Sequence, residues 1–176
     1  MKKAEFEKRV QEFYESEKEQ TCLVKPTKGN SSGKLGLLYE SKCKLYLGLT
    51  RGKNTITGNG KLDARTRGYD VEFKQGCSPI EQLFHQKPDY VVYSPDFLAD
   101  DAVEKVSYVL TGDGFMTVLE NAGLIRIKKM TDGSIKRTIQ TYKNSNKKYN
   151  LFLDLLEEYN VMTLEEFRDT LKKMRG

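Results

Sequence analysis

Between Tyr69 and Lys74 apolar and charged residues alternate without a break. Tyr69, Val71 and Phe73 share one parity, and Asp70, Glu72 and Lys74 share the other. Side chains on a β-strand point to opposite faces in turn, so this spacing predicts a strand over 69–75. One face packs on a helix and the other carries charge. A strand inside a sheet seldom commits a whole face to charge unless that face is used.

A second strand is expected just before it, near 61–66, joined by Arg67-Gly68 as a two-residue hairpin loop. Thr66 then faces Tyr69, Arg65 faces Asp70, Ala64 faces Val71, and Asp63 lies opposite Glu72. A turn shifted by one residue would bring Asp63 opposite Asp70 instead. Either register sets two carboxylates beside Lys74. Opposed residues hold their Cβ atoms about 5 Å apart, where like charges repel. A divalent cation between them removes that penalty. Two carboxylates and an amine around a hard metal suit phosphodiester hydrolysis: the metal polarises the phosphate and acidifies a water, and the lysine orients that water or stabilises developing charge.

The flanking sequence supplies the rest of a fold. Phe6, Val10, Phe13 and Tyr14 recur at helical spacing over 4–19. Thr27–Gly33 is a polar loop. A helix is expected over Leu35–Leu47, closed by Gly48 and Gly52, and a polar loop over Thr50–Gly60. A short helix at 79–86 precedes Asp89–Tyr93, an apolar run that reads as a central strand buried on both faces. Helices are expected over 100–110 and 114–122, with Gly123 as the C-terminal cap of the latter. Leu124–Met130 and Ile135–Tyr142 flank Thr131-Asp132-Gly133-Ser134, a strong hairpin signal. Helices near 150–159 and 164–174 close the chain, the last opened by a Thr163/Glu166 capping box. This order predicts an α/β or α+β sandwich around a mixed β-sheet. It is organised as a core over 1–123 with the basic hairpin and two helices of 124–176 packed on it.

Charge is unevenly spread. The whole chain carries +5, but Arg126–Lys148 holds eight basic residues against one acidic residue, Asp132. Lys128, Lys129, Lys136, Arg137 and Lys143 are the candidates for phosphate contacts there, with helix and hairpin acting as a winged element or the hairpin simply extending the sheet. Tyr142 and Tyr149 flank these cations and are candidates for stacking on bases or for the core. Cys22, Cys43 and Cys77 form no paired motif and read as free thiols of a reducing cytoplasm. The charged, amphipathic start offers no signal peptide, and no apolar run reaches the length of a membrane span.

Other signals rank lower. Gly29–Lys34 is too short for a phosphate-binding loop, and Leu35 stands where its metal-binding hydroxyl belongs. His85, the only histidine, has no partner for metal binding and reads as a surface residue. Cys77 lacks a histidine to activate it. Asp96, Asp100, Asp101 and Glu104 read as helix N-terminal charge.

Asp63 followed by Glu72-Phe73-Lys74 resembles the acidic residue and (Asp/Glu)-x-Lys signature of the PD-(D/E)xK superfamily, the restriction-endonuclease-like fold. The order helix, hairpin, helix, strand over residues 35–95 is similar too. Leu62 stands where many members have proline before the acidic residue. The resemblance implies a Mg²⁺- or Mn²⁺-dependent nuclease acting on DNA, with Asp63 and Glu72 holding the metal and Lys74 assisting the water. Gln75 directly after the lysine resembles many members. Glu40 on the preceding helix matches a position where some place a further carboxylate, although Glu5, Glu7, Glu12 and Glu15 compete for that role. The chain as a whole also looks like small phage-borne or mobile-element members. Many such nucleases are dimers, so a homodimer stays open. The alternative is a non-catalytic nucleic-acid-binding or regulatory protein on the same fold.

Overall fold

The alternating segment is the second strand of a four-stranded sheet. A computed structural model describes residues 31–49, 63–66, 68–76, 83–139 and 146–174. In chain order the elements are α1 (Ser31–Leu47), β1 (Ala64–Thr66), β2 (Tyr69–Gln75), β3 (Tyr90–Ser94), α2 (Val103–Val106), β4 (Tyr108–Thr111), α3 (Gly112–Asn121), β5 (Ile125–Lys129), β6 (Ile135–Ile139), α4 (Asn146–Tyr159) and α5 (Leu164–Lys173). The expected helix at 4–19, the loop at 50–60, Lys143, Tyr142, Cys22 and Cys77 lie outside the described residues.

β1 and β2 pair antiparallel in the expected register: Ala64 with Val71, Arg65 with Asp70, Thr66 with Tyr69. Gly68 takes a φ of 84° at the turn, a left-handed value that only glycine adopts at no cost. β2 runs parallel to β3, β3 runs antiparallel to β4, and the strand order is β1-β2-β3-β4. Tyr90–Ser94 is the central strand its apolar composition predicts, with Val91, Val92 and Tyr93 fully buried.

The sheet divides the core in two. On one side Val71, Phe73, Val92 and Val109 pack with Leu38, Tyr39, Cys43 and Leu47 of α1 and with Leu164, Phe167 and Leu171 of α5. On the other, Val91, Tyr93 and Leu110 pack with Phe115, Val118 and Leu119 of α3 and with Phe152 and Leu156 of α4. The chain after position 123 therefore contributes to both clusters. The result is a mixed sheet with helices on both faces.

Three expectations change. α1 starts at Ser31, so Ser31–Gly33 is helical rather than loop; Gly48, with φ 70°, ends the helix as expected. The helix expected over 100–110 is only the single turn Val103–Val106, and Tyr108–Thr111 is an edge strand. Val103, Val106 and Leu110 mimic helical spacing, but the Tyr-Val-Leu-Thr run finds a partner in β3. Its outer edge is closed by distant chain: Val109 N–H donates to Asn160 Oδ1 at 2.8 Å, and Val161 N–H donates to Val109 O at 2.9 Å. Such cover satisfies backbone groups an edge would expose. Third, of the two arrangements left open for the hairpin, β5 and β6 form a sheet of their own and do not extend the main one. Of the helix expected at 79–86, the described part is one tight turn at Leu83–His85.

The cap signals at Gly123 and Thr163 hold. Gly123 (φ 68°) follows α3, with Leu124 N–H bonded to Leu119 O at 3.0 Å and Gly123 N–H to Glu120 O at 2.9 Å, the paired bonds of a Schellman motif. Thr163 and Glu166 form the capping box of α5. α4 begins earlier than expected, at Asn146.

Candidate active site

β1 is three residues long, so the ladder between β1 and β2 stops before β2 does. Asp63, the residue just ahead of β1, takes over. Its Oδ2 accepts the Phe73 backbone N–H at 2.8 Å, and its own backbone N–H donates to Glu72 Oε2 at 3.0 Å. Glu72 thus binds the backbone of Asp63, and Asp63 binds the backbone of Phe73, the residue next to Glu72. This is the Asp63–Glu72 juxtaposition the hairpin register requires, and it closes the frayed end of the ladder. Lys74, two residues on and on the same face of β2 as Glu72, brings its Nζ to 2.6 Å from Glu72 Oε1.

The site is buried. Glu72 is 1% exposed and the Lys74 side chain 11%. Burial and the charge of Asp63 both push the Glu72 carboxyl up, and Lys74 opposes them only in part. Burial alone would pull Lys74 down, but Asp63 and Glu72 outweigh it and hold its ammonium above the ordinary lysine value. Charges here are felt strongly because little water screens them.

Glu40 approaches from α1. Its Oε1 pairs with Lys44 one turn later on the same helix, and Lys44 is fully buried. Burial, then the charge of Asp63, raises the Glu40 carboxyl to about 7, with Lys44 and Lys74 pulling the other way. Glu40 therefore shares an electrostatic field with Asp63 and Lys74. Gln75, 7% exposed, lies on the α1 side of β2: a Cβ placed on Gly36 of α1 would stand 4.0 Å from its amide nitrogen.

Asp63, Glu72 and Lys74 are thus joined by direct contacts, Glu40 through its field, and Gln75 as the next residue along β2. The residue that sequence reasoning missed is Lys44. The Glu40/Lys44 spacing is an ordinary helix ion pair, and nothing in a single sequence distinguishes a buried one from a solvated one.

The donor set is one of hard oxygens, which suits magnesium or manganese and not softer metals. Among the described residues no three His, Cys, Asp or Glu side chains converge on a point where a metal could sit. Magnesium commonly takes only one or two carboxylates and keeps several waters, so the Asp63–Glu72 pair fits that lesser requirement. The bond from Phe73 engages one oxygen of Asp63, and a carboxylate has lone pairs for further partners. Both oxygens of Glu72 are engaged, Oε1 by Lys74 and Oε2 by the Asp63 N–H, and Lys44 holds one oxygen of Glu40.

The other candidates have plain structural roles. Asp101 Oδ2 accepts the Leu98 N–H at 2.7 Å, closing a turn that Lys42 Nζ ties to α1 through Ala99 O at 2.7 Å and Asp101 O at 3.0 Å. Tyr149 packs against the α3/α4 cluster and donates its hydroxyl to Asp96. His85 is exposed, Cys43 is buried, and no described helix is long and apolar enough to cross a membrane. Lys128, Lys129, Lys136 and Arg137 all stand exposed on β5 and β6. No protein family, characterised protein or solved structure matches the chain.

Proposed function

We propose that the chain is a magnesium-dependent nuclease acting on DNA, of the restriction-endonuclease-like class. The observation that carries this reading is the contact set Asp63–Glu72–Lys74 at the end of the β1–β2 hairpin. The element order supports it: a helix carrying Glu40, a hairpin carrying the acidic pair and the lysine, then a parallel central strand. Asp63 and Glu72 would hold the metal. When bound, the ion supplies polarisation of the scissile phosphate and a lowered pKa for water. Lys74, its charge secured by its carboxylate neighbours, orients that water or stabilises charge developing on the phosphate. Glu40 shares the field of Asp63 from α1, and Gln75 follows Lys74 on the α1 side of β2.

The test is cleavage of supercoiled and linear DNA by the full chain with Mg²⁺ or Mn²⁺. Wild type nicks or cuts, and Lys74→Ala loses at least about a hundredfold in rate, the scale of one positioned electrostatic or proton-transfer group. Equal cleavage by Lys74→Ala refutes the assignment.

A second reading has an observation of its own. Lys74 is already closed on Glu72, and Asp63 is engaged in a backbone bond, an arrangement that also suits a purely structural charge cluster under a nucleic-acid-binding protein. Calorimetric titration with Mn²⁺ separates the two. Binding that is lost in Asp63→Asn favours the enzyme; no heat from wild type favours the binding protein.

A further inference from the structure

Among the described residues, the β5–β6 ribbon packs on the body at its base. Ile125 and Ile139, paired there, pack on the α3/α4 cluster. Beyond them the strands leave the body: Ile127 is 71% exposed and Ile135 70%. An open cleft of about 810 Å³, lined on the ribbon side by Lys136 and Arg137, separates the ribbon tip from the Phe84–His85 turn.

The pairing sorts the exposed side chains. Lys128 lies directly opposite Lys136 and Arg126 opposite Thr138, so one face is cationic. The other face carries Ile127 opposite Arg137 and Lys129 opposite Ile135. Directly opposed like charges weaken a hairpin, and a two-stranded ribbon alone is marginal in water. Both features work against the free ribbon, and a polyanion lying along it offsets both. A second copy of the chain is a poor occupant, because stacking two isoleucine faces would bring two sets of Lys129 and Arg137 together. Four exchanged pairs beyond Ile125 make the ribbon about 14 Å long at the usual rise per residue. The major groove of B-form DNA, about 12 Å wide, admits a two-stranded ribbon, whereas the major groove of duplex RNA is too narrow.

We infer that the β5–β6 ribbon docks in the major groove of double-stranded DNA by its cationic face, with Arg126, Lys128 and Lys136 turned to the duplex. Basic side chains there reach phosphates and guanine edges. The inference rests on the reading of DNA as substrate and adds the duplex form and the groove; it does not depend on turnover.

The test is fluorescence anisotropy of the full chain in EDTA with a short labelled DNA duplex and an RNA duplex of the same sequence. Wild type binds DNA with steep salt dependence and RNA more weakly. Lys128→Glu with Lys136→Glu loses at least about tenfold in affinity, and its slope of log K against log salt becomes shallower by about 2, one unit per phosphate contact. Ile127→Ser with Ile135→Ser, both exposed on the opposite face, leaves affinity and slope unchanged. Wild-type affinity and slope in the glutamate variant, or equal affinity for the RNA duplex, overturns the inference. Lys74→Ala separates the two proposals: unchanged DNA binding by that variant, without cleavage by any form, keeps the ribbon and sinks the enzyme. Lys74-dependent cleavage with binding indifferent to the Lys128 and Lys136 substitutions does the reverse.

Discussion

The Glu40–Lys44 pair makes the stability of this protein depend on pH in a direction opposite to that of most carboxylates. Burial and Asp63 raise the Glu40 carboxyl from an ordinary 4.5 to about 7, so the folded chain holds that proton more tightly than the unfolded one. The associated stability is fully present below about pH 4.5 and is lost as pH climbs through the folded value near 7. Each pH unit separating the unfolded and folded values is worth about 1.4 kcal/mol, so the loss attributable to Glu40 approaches about 3 kcal/mol. Glu72 is raised too and adds to the loss. The perturbation is Glu40→Gln made together with Lys44→Met, because removing Glu40 alone would strand a fully buried ammonium. The assay is urea unfolding of both proteins in EDTA between about pH 5 and 8, read as the unfolding free energy extrapolated to water. Wild type weakens across that range, and the double variant weakens by about 3 kcal/mol less. The comparison uses slopes, so a constant offset from repacking does not affect it. Parallel curves, or a wild type that gains stability as pH rises, would refute the electrostatic account of the site.

Two other substitutions test how the scaffold is built. A Cβ on Gly112 would stand 2.1 Å from Pro88 O, a backbone atom that cannot swing aside; Gly112→Ala should cost about 3 kcal/mol or more, seen as a large fall in Tm. Thr163→Ala removes the side-chain half of the α5 capping box and should cost about 1 kcal/mol, lowering Tm by about 3 °C.

The candidate site was legible because its elements are local in sequence. Alternation over Tyr69–Lys74 fixes which residues share a face, and a turn at Arg67-Gly68 leaves two registers, either of which sets a carboxylate pair beside Lys74; the pairing Ala64 with Val71 takes the one that brings Asp63 to Glu72. The capping residues Gly48, Gly123 and Thr163 were legible for the same reason: a cap is a local hydrogen-bonding problem. Tyr108–Thr111 was not legible, because its spacing suits either a helix or a strand. The choice is made by β3 on one side and by Asn160–Val161 on the other, about 50 residues further along the chain. Separation of the β5–β6 ribbon from the main sheet was likewise invisible, since a hairpin signal says which strands pair but not what the pair packs against.

The carboxylate pair beside Lys74 therefore belongs to what the sequence determined: a period of two and a tight turn bring it together whatever surrounds it. Its electrostatics belong to the tertiary structure. Packing of α1 against β2 brings Glu40 into the field of Asp63, and burial of Glu40, Glu72 and Lys74 in the folded chain removes the water that would otherwise screen these charges from one another.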